Sequence, residues 1–376
     1  MLDHTDPNAL VIETARRFAQ ERLAPTASER EKLGRIEPEI IAELGEMGFL
    51  GATSSAEWGG SEIDYETYDQ VIEEIAAGDG AVSTLVSVHN APTCEILERF
   101  GTPAQKEQWF RPMASGQAVA SFALTESDAG SDASGVRTRA VRTNSGYVIN
   151  GSKQFISNAS VGKTTILFAV TDPDAGKKGI SAFVVANDTP GFSVARVEHK
   201  LGQKASDSCA LSFNDLHVED SQRIGEEGQG LKIALSTLES GRIGIAAQSV
   251  GMARAALDYA IAYAKERKQF GRPIIEHQAV GFRLVEAKTK LAAARELTLR
   301  AARLKDAGRP ALEAAAMAKL FASEAAESIC SAAIQTLGGY GYLADYPVER
   351  IYRDVRVCQI YEGTSDVQKI ILQRML

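Results

Sequence analysis

A single carboxylate lies between a tyrosine and a glycine in the stretch Tyr361-Glu362-Gly363-Thr364-Ser365-Asp366. Ser365, with Gln368 three residues later and apolar residues after it, has the pattern of a capping box and predicts that a helix begins here. Glu362 is therefore expected in the turn before a helix, where Gly363 lets the backbone bend closely around a ligand. A carboxylate held in such a turn can act as a general base, although an ordinary solvated acid near a helix N-terminus has the same pattern.

The length and composition limit the kind of protein this is. A chain of 376 residues exceeds the size at which one hydrophobic core stops growing, so two or three structural units are expected. Apolar residues make up 44% and charged residues 24%, the balance of a soluble globular protein. A net charge of -8 argues against nucleic acid as the partner, because phosphate binding needs a basic face. A local basic cluster at Arg267, Lys268 and Arg272 is still compatible with an anionic small molecule.

The cysteines and the first residues indicate the compartment. Acidic residues at Asp3, Asp6 and Glu13, without an apolar core between them, argue against a signal peptide, and no stretch is long enough to span a bilayer. The five histidines have no metal-ligand spacing, so no metal site is predicted. The scattered cysteines predict neither a disulfide framework nor a zinc site, and a reducing, cytoplasmic location is expected. They are Cys94, Cys209, Cys330 and Cys358.

Residues 1–116 are predicted to be helical, because apolar residues recur every three or four positions and glycine or proline separates the runs. One such face contains Tyr68, Ile72 and Ile75. The segment from Val82 to Phe100 is apolar with few charges, so we expect one helix that is buried on most sides.

Residues 117–227 change to short β-rich runs separated by turn signals. Cys209, Leu211 and Phe213 alternate with smaller or polar residues, as one buried sheet face requires. Strands at this spacing without helices between them predict an antiparallel sandwich or barrel. The predicted strands are 119–124, 147–150, 164–170, 180–186 and 209–213.

Residues 228–376 return to the helical period. Long alanine-rich runs cover 231–265, 278–306 and 310–337, and helices of this length with short connections pack as a bundle. The chain is thus predicted to be an α+β protein, mostly α. Its order is an N-terminal helical domain, a middle β domain and a C-terminal helical bundle, with no internal repeat.

Three further segments have the composition of binding sites. The segment 122–132 is a strand that runs into a loop rich in hydroxyls and carboxylates, which suits a polar ring edge or a phosphate as well as solvent. The basic end of a helix at 266–273 satisfies the helix dipole, or else holds a phosphate with Arg267 beside Phe270. The paired glycines in 335–342 cap a helix, and they also permit close approach by a ligand.

The order and spacing of these segments resemble the acyl-CoA dehydrogenase family, flavoenzymes that remove two hydrogens from the Cα and Cβ of an acyl thioester. The resemblance includes Gly48-Phe49-Leu50-Gly51 and Glu57-Trp58-Gly59-Gly60 and covers essentially the whole chain. It implies FAD as the cofactor, an acyl-CoA substrate, an electron-transfer flavoprotein as the electron acceptor and a four-helix C-terminal bundle. It also implies a homotetramer or dimer, because the family shares the cofactor site between subunits.

The resemblance also assigns residues to the cofactor and the substrate. The flavin would be contacted by Phe122, Leu124, Thr125 and Ser131, and its ring by Phe155, Ile156 and Ser157. The diphosphate and adenine of FAD in a neighbouring subunit would be reached by Arg267, Phe270, Gln278, Gln335, Leu337, Gly338 and Gly339. Thr364 and Asp366 would close over the same cofactor. The acyl-CoA would be bound by Ser131, Glu239, Arg242 and Gly363.

The mechanism implied by the resemblance makes Glu362 the catalytic base. Glu362 would remove the Cα proton while flavin N5 accepts the Cβ hydride, which yields the trans-2-enoyl-CoA. A flavin ribityl hydroxyl and the backbone N–H of Glu362 would stabilise the developing enolate. Some family branches place the base just before the CoA-binding arginine, but Gly241 occupies that position here. Burial would raise the pKa of Glu362 and the helix N-terminus would lower it, and the sequence leaves that balance open.

The sequence departs from the family pattern at Ser127, where proline is usual, and at Phe155, where tryptophan is usual. Phenylalanine preserves stacking area but lacks the indole N–H, so the exposed flavin edge is expected to be tuned differently. Ser83 stands where the glutaryl-CoA branch carries an arginine, which argues against a dicarboxylyl substrate. Unbranched or simply branched acyl groups of short to medium length remain.

Two rival functions follow from the same residues. The close rival is another flavoenzyme on this fold: Phe155 leaves an acyl-CoA oxidase open, whereas Glu362 disfavours a monooxygenase, which has no proton to abstract. The distant rival is a non-catalytic helical scaffold that has lost its cofactor. The presence of Arg267, Gln335 and Gly338-Gly339 argues against the scaffold.

Overall fold

The computed structural model describes residues 7–376, so Asp3 and Asp6 lie outside the described residues. Its first part is helical, as the periodicity predicted, and Tyr68, Ile72 and Ile75 are buried on one face. The helices of this part are α1 (Pro7–Phe18), α2 (Ala27–Leu33), α3 (Pro38–Glu46), α4 (Tyr65–Gly78), α5 (Gly80–Val88), α6 (Glu95–Phe100), α7 (Pro103–Gln105) and α8 (Arg111–Ala114).

The segment from Val82 to Phe100 is largely buried as predicted, but the prediction of a single helix is wrong. Helices α5 and α6 are separated by a π-helical stretch at His89–Cys94, in which Ala91 has an extended backbone (φ -133°, ψ 118°). Pro92 explains the break, because proline has no N–H to donate and disfavours a helical conformation in the residue before it.

The middle part is a β domain. Its strands are β1 (Ala120–Ala123), β2 (Arg139–Arg142), β3 (Gly146–Ile156), β4 (Thr164–Val170), β5 (Ile180–Ala186), β6 (Phe192–Val197), β7 (Cys209–Glu219) and β8 (Arg223–Ile224). They form one sheet in the order β6-β7-β3-β2-β4-β5-β8, with β1 beside β4. Most pairs are antiparallel, but β1 pairs with β4 in parallel and β2 makes one parallel bridge to β4. These two parallel pairings were not predicted.

The two faces of β4 pack into different cores. Ile166 and Phe168 lie in a core shared with helices, whereas Leu167 and Ala169 pack in a second core with Phe213 of β7. Strands β2 and β3 lie between β4 and β7 in the sheet, and Ala140 of β2 and Ile149 of β3 belong to the same core. One face of the sheet is therefore buried continuously from β4 to β7, as expected for the β domain predicted here.

The last part is a bundle of long helices. Its elements are α9 (Gly230–Glu266), the hairpin strands β9 (Lys268–Gln269) and β10 (Arg272–Pro273), α10 (Gln278–Asp306), α11 (Leu312–Leu337), α12 (Pro347–Val355) and α13 (Ser365–Gln373). The three long helices match the predicted runs within two residues, and the predicted fold class is confirmed. Helix α9 also packs on α4 and α5, so it joins the bundle to the first part. Within residues 7–376, none of the helices is both long and apolar enough to cross a membrane.

Candidate active site

The turn that holds Glu362 precedes a helix, as predicted, but Ser365 is not its cap. Thr364 is the N-cap of α13: its backbone is extended (φ -57°, ψ 162°) and its Oγ1 accepts a hydrogen bond from the Val367 N–H at 3.2 Å. Ser365 is already the first helical residue, so its hydroxyl cannot reach the first unpaired N–H groups of the helix, and its buried Oγ has no partner among the described residues. The capping box predicted for Ser365 and Gln368 is therefore wrong.

Gln368 instead supports the turn from inside. Its side-chain amide donates to the backbone carbonyls of Glu362 and Gly363, at 3.3 and 2.9 Å. The turn needs this support, because Glu362 has a left-handed backbone (φ 52°), which costs free energy for any residue other than glycine. Gly363 follows with φ 89°, where glycine is favoured.

The Glu362 carboxylate is held in a poorly solvated place. The residue as a whole is half-buried, but its Oε2 is covered and has no hydrogen-bond partner within residues 7–376. Burial raises the pKa of Glu362 to about 7, and the cations of Arg242 and Lys319 oppose that rise. The balance that the sequence left open is thus decided by burial, and the carboxyl titrates in the range where a general base is most effective.

Gly241 of α9 leaves space for this carboxylate. A Cβ atom at Gly241 would lie 2.7 Å from Oε2 and 3.1 Å from Cδ of Glu362. The position that carries the base in other family branches therefore adjoins the Glu362 carboxylate, and only a residue without a side chain fits beside Glu362 as it stands.

Arg242 follows Gly241 on α9, and its positive charge interacts with the Glu362 carboxylate. The residue is 5% exposed, its Nε has no hydrogen-bond partner among the described residues, and burial lowers its pKa while Glu362 and Glu239 oppose the shift. Glu239 itself is half-buried. A buried guanidinium without a partner is costly, so a ligand with acceptor oxygens would complete this site.

Two buried side chains hold the turn on either side of Glu362. Lys319 of α11 donates to the Gly363 carbonyl at 2.7 Å. On the other side, the Tyr361 hydroxyl donates to the Gln248 carbonyl oxygen, and the Gln248 amide lies 2.7 Å from the hydroxyls of both Ser83 and Thr84. The turn is therefore tied to α5, α9 and α11.

The strand and loop predicted to contact flavin lie together. Phe122 is half-buried against Phe168, Leu124 is buried, and the Thr125 carbonyl accepts from the Gln154 N–H at 2.9 Å. Ser131 is exposed. At the end of β3, Phe155 is 63% exposed and has a left-handed backbone (φ 60°). Its neighbours Ile156 and Ser157 are buried and half-buried.

The buried ion pair of Lys153 and Glu126 joins this loop to β3. The Lys153 Nζ donates to Glu126 Oε1 at 2.8 Å and to the Leu124 carbonyl at 2.9 Å. Burial lowers the pKa of Lys153 to about 8, and Glu126 opposes that shift. Glu126 also accepts from the backbone N–H groups of Arg137 and Thr138, so its charge is fully satisfied.

A separate open groove of about 530 Å³ lies where α11 ends. Its lining includes Arg267, Leu337, Gly338 and Gly339, all predicted to bind cofactor. The Arg267 guanidinium packs over the ring of Tyr340 at 5.8 Å and forms no salt bridge with the part of the chain that the structure describes. The remaining residues predicted here are exposed and outside the lining: Phe270, which is 94% exposed, Gln278 and Gln335.

The groove and the Glu362 turn are separate within one chain. Lys319, which contacts the turn, and Leu337, which lines the groove, are eighteen residues apart on α11, or about 27 Å along the helix axis. Thr364 belongs to the turn, and Asp366 is exposed on the first turn of α13. The structure thus divides the predicted site residues into a set at Glu362, a set at the loop and β3, and a set at the groove.

Family models of the acyl-CoA dehydrogenases match this chain in three parts: the N-terminal domain at residues 5–117, the middle domain at 121–216 and the C-terminal domain at 228–376. An acyl-CoA dehydrogenase of Bacillus subtilis is 42% identical over 372 residues, which cover 99% of this chain and 98% of the relative. The chain belongs to the acyl-CoA dehydrogenase family. The resemblance read from the sequence is confirmed.

Other members of the acyl-CoA dehydrogenase family are similar over the same length. A short-chain specific acyl-CoA dehydrogenase of Clostridium acetobutylicum is 41% identical over 98% of this chain and 97% of its own. Among solved structures, butyryl-CoA dehydrogenase of Megasphaera elsdenii superimposes with a TM-score of 0.97 at 40% identity, over 100% of this chain and 99% of that one. A chain of the structure described as electron transferring flavoprotein of Acidaminococcus fermentans has the same TM-score at 41% identity and the same coverage. PigA with FAD and proline has a TM-score of 0.95 at 32% identity, over 100% and 98%.

Sequence reasoning missed the buried residues that support the site of this acyl-CoA dehydrogenase family member. Lys319, Gln248 and the Lys153–Glu126 pair were not singled out. Both departures from the family pattern, Ser127 and Phe155, are exposed. Ser83, which stands where the glutaryl-CoA branch carries an arginine, is buried, and its hydroxyl donates to the Gly80 carbonyl and accepts from the Gln248 amide. Ser83 therefore lies within the buried polar network that holds Tyr361.

Proposed function

We propose that Glu362 is the catalytic base of this acyl-CoA dehydrogenase, which converts an acyl-CoA thioester to the trans-2-enoyl-CoA. One observation carries the proposal: Glu362 Oε2 and Arg242 Nε are both buried, both lack a partner among residues 7–376, and the opposite charges of the two side chains interact. Buried polar groups in folded proteins are almost always satisfied, so this pair is arranged for a ligand.

The chemistry of the base follows from its surroundings. A Cα proton of a thioester is a weak acid, so the base must be ionised near neutral pH and the enolate charge must be stabilised as it forms. A pKa of about 7 meets the first requirement. The Glu362 N–H meets the second, because no carbonyl in the part of the chain that the structure describes accepts its hydrogen bond. It is therefore available to the thioester oxygen.

FAD, the cofactor of the family, supplies the acceptor for the Cβ hydride when it is bound. The residues present fit such a group. Phe155 offers an exposed aromatic face at the end of β3, and the loop of segment 122–132 beside it is fixed by the Lys153–Glu126 pair. The groove at Gly338 and Gly339 admits close approach, since a Cβ at either glycine would meet no heavy atom within 4 Å. Arg267, which forms no salt bridge within residues 7–376, lies in the same groove and suits a diphosphate.

We infer that the protein is a homotetramer, or at least a dimer. The separation of the groove from the Glu362 turn supports this: the groove then serves the cofactor of a neighbouring copy, as the resemblance implies.

We further place the domains at 1–116, 117–227 and 228–376. Their boundaries fall between α8 and β1 and between β8 and α9. A cytoplasmic location is supported by four free, buried cysteines. An electron-transfer flavoprotein is the proposed acceptor.

A short acyl group is the proposed substrate, because relatives named for short chains are similar over the whole length of this chain. The test is anaerobic bleaching of the flavin in the purified protein with CoA thioesters of graded length and branching, followed by reoxidation with air or with an electron-transfer flavoprotein. We expect a yellow protein that short thioesters bleach and that the flavoprotein reoxidises faster than air. A colourless protein that takes up no FAD would overturn the proposal that the chain is an enzyme. Rapid reoxidation by air would favour the acyl-CoA oxidase.

A further inference from the structure

Lys319 is a charged side chain in an apolar part of α11. It is 0% exposed, and its neighbours one turn away on either side, Ala316 and Ala322, are also buried. Burial lowers the pKa of Lys319 to about 8. A fully buried ammonium is unfavourable unless its hydrogen-bonding groups are used, so a lysine here needs a reason beyond packing.

The Lys319 ammonium reaches the backbone next to Glu362. Its Nζ lies 2.7 Å from the Gly363 carbonyl oxygen, where Gln368 is the second donor. Both donors act on the turn in which Glu362 has its left-handed backbone. Conformations of this kind persist only where the surrounding structure holds them, and a charged donor holds a carbonyl more strongly than a neutral one.

The charges around this group are few and come from different elements. Glu362 is faced by Arg242 from α9 and Lys319 from α11, and both cations favour its ionised form. Lys319 in turn is faced by Glu362, by Arg242, by Cys358 from the segment before the turn and by Glu324 from its own helix.

We propose that Lys319 is a positioning residue for the catalytic base: it fixes the Gly363 carbonyl and places a positive charge beside Glu362. This rests on the proposed function of Glu362. Lys319 itself does not need to touch substrate or cofactor for this role. Its two contributions, a hydrogen bond and a charge, are separable by substitution.

The test compares Lys319→Met, Lys319→Arg and the control Lys369→Met. Methionine has a similar length and removes both the donor and the charge, whereas arginine keeps the charge. Lys369 is an exposed lysine of α13 near Glu324, and its substitution removes the same charge from the surface. Three measurements are made on each FAD-loaded protein: the bleaching rate against pH, the flavin content, and the protonation of Glu362 from its infrared carboxyl band, with Glu362→Gln as the blank.

For Lys319→Met we expect a bleaching rate about tenfold lower at its plateau and a pH midpoint about one unit higher, with the infrared titration shifted equally and the flavin content unchanged. Lys319→Arg should lower the plateau without moving the midpoint, and Lys369→Met should change neither. A midpoint and plateau for Lys319→Met equal to those of Lys369→Met would overturn the proposal. Should the methionine variant not fold, a shifted infrared titration in Lys319→Arg would overturn it, and an unshifted one with a lower plateau would support it. Full bleaching of the flavin in Glu362→Gln would instead show that Glu362 is not the base, whatever the lysine variants show.

Discussion

The turn at Glu362 and the groove at Gly338 differ in what surrounds their functional groups. At the turn, polar atoms are buried and held from three helices, and some of them, including Glu362 Oε2 and Arg242 Nε, have no partner within residues 7–376. In the groove, the cation of Arg267 lies over an aromatic ring, and Phe270 nearby is 94% exposed.

This difference shows which of the two sites is completed within one protomer. The turn is over-determined, because Lys319, Gln368 and Gln248 fix it from inside the same protomer. The groove is open, and the ring of Tyr340 in its lining is 43% exposed, which is the condition of a surface that is completed by something else. Substitutions at the turn should therefore change chemistry, and substitutions at the groove should change cofactor retention.

The largest effect at the turn is expected from Gly241→Ala. The new Cβ would lie 2.7 Å from Oε2, and because that atom is the end of a flexible side chain, the fold should survive while the carboxylate moves. A displacement of about 1 Å costs on the order of a hundredfold in rate, so anaerobic bleaching should slow by about that factor with unchanged flavin content. Gly244→Ala, one turn away and facing Ser87, is the control. Equal rates in the two variants would mean that Glu362 does not act from the observed position.

At the groove, Arg267→Ala should loosen FAD by on the order of tenfold, since it removes a charged donor from a diphosphate. The pH midpoint of bleaching in the remaining holoenzyme should not move. Flavin content after dialysis measures the first effect, and Lys265→Ala, at an exposed position on the last turn of α9, is the control. Unchanged flavin content would show that Arg267 does not bind FAD and only packs on Tyr340 at the end of the helix.

The pH dependence is a signature of the turn alone. Because burial raises the pKa of Glu362 to about 7, the bleaching rate at low substrate should rise about tenfold per pH unit in acid and level off above pH 7. The folded state holds this proton more tightly than the unfolded state, so ionisation of Glu362 opposes folding. Its contribution to stability therefore falls as the pH rises from the ordinary value of 4.5 to about 7. A midpoint near 4.5 would show a solvated carboxylate.

The smallest effect distinguishes Thr364 from Ser365. Thr364→Ala should destabilise α13 by about 1 kcal/mol, because it removes the N-cap acceptor, whereas Ser365→Ala should leave the helix unchanged. Hydrogen exchange of the amides from Val367 to Ile371 reports the difference. A larger destabilisation of α13 by Ser365→Ala than by Thr364→Ala would show that Ser365 is the N-cap.

The bundle could be predicted from sequence because each long helix has an unbroken apolar period, and α10 begins and ends where it was expected. Strands β4 and β5 were found because they are continuous apolar runs. Strands β2 and β6 were missed because nearly all their residues are exposed, so they carry no alternation. The break at Pro92 was not predicted, because the apolar pattern of this segment continues across the proline.

The site was predicted in part. The family resemblance assigns Glu362, Gly363 and Arg242, but the pKa of Glu362 depends on burial by distant residues, which one sequence does not show. Lys319 was detectable: the helical period places it on the same face as Ala315 and Ala322. Gly241 was interpreted as an absent base, whereas its structural contribution is space. Thr364 and Ser365 are neighbours with the same capping chemistry, and only the backbone angles separate them.

The most direct test of Glu362 is a single-turnover measurement on Glu362→Gln. The purified variant should be yellow and should bind a CoA thioether with wild-type affinity, since the amide has nearly the same shape. Mixing it anaerobically with a short acyl-CoA should leave the flavin unbleached, while Glu313→Gln, which changes an exposed acid of α11, bleaches at the wild-type rate. Bleaching of Glu362→Gln at the wild-type rate would contradict the account, because the proton would then be removed by another group.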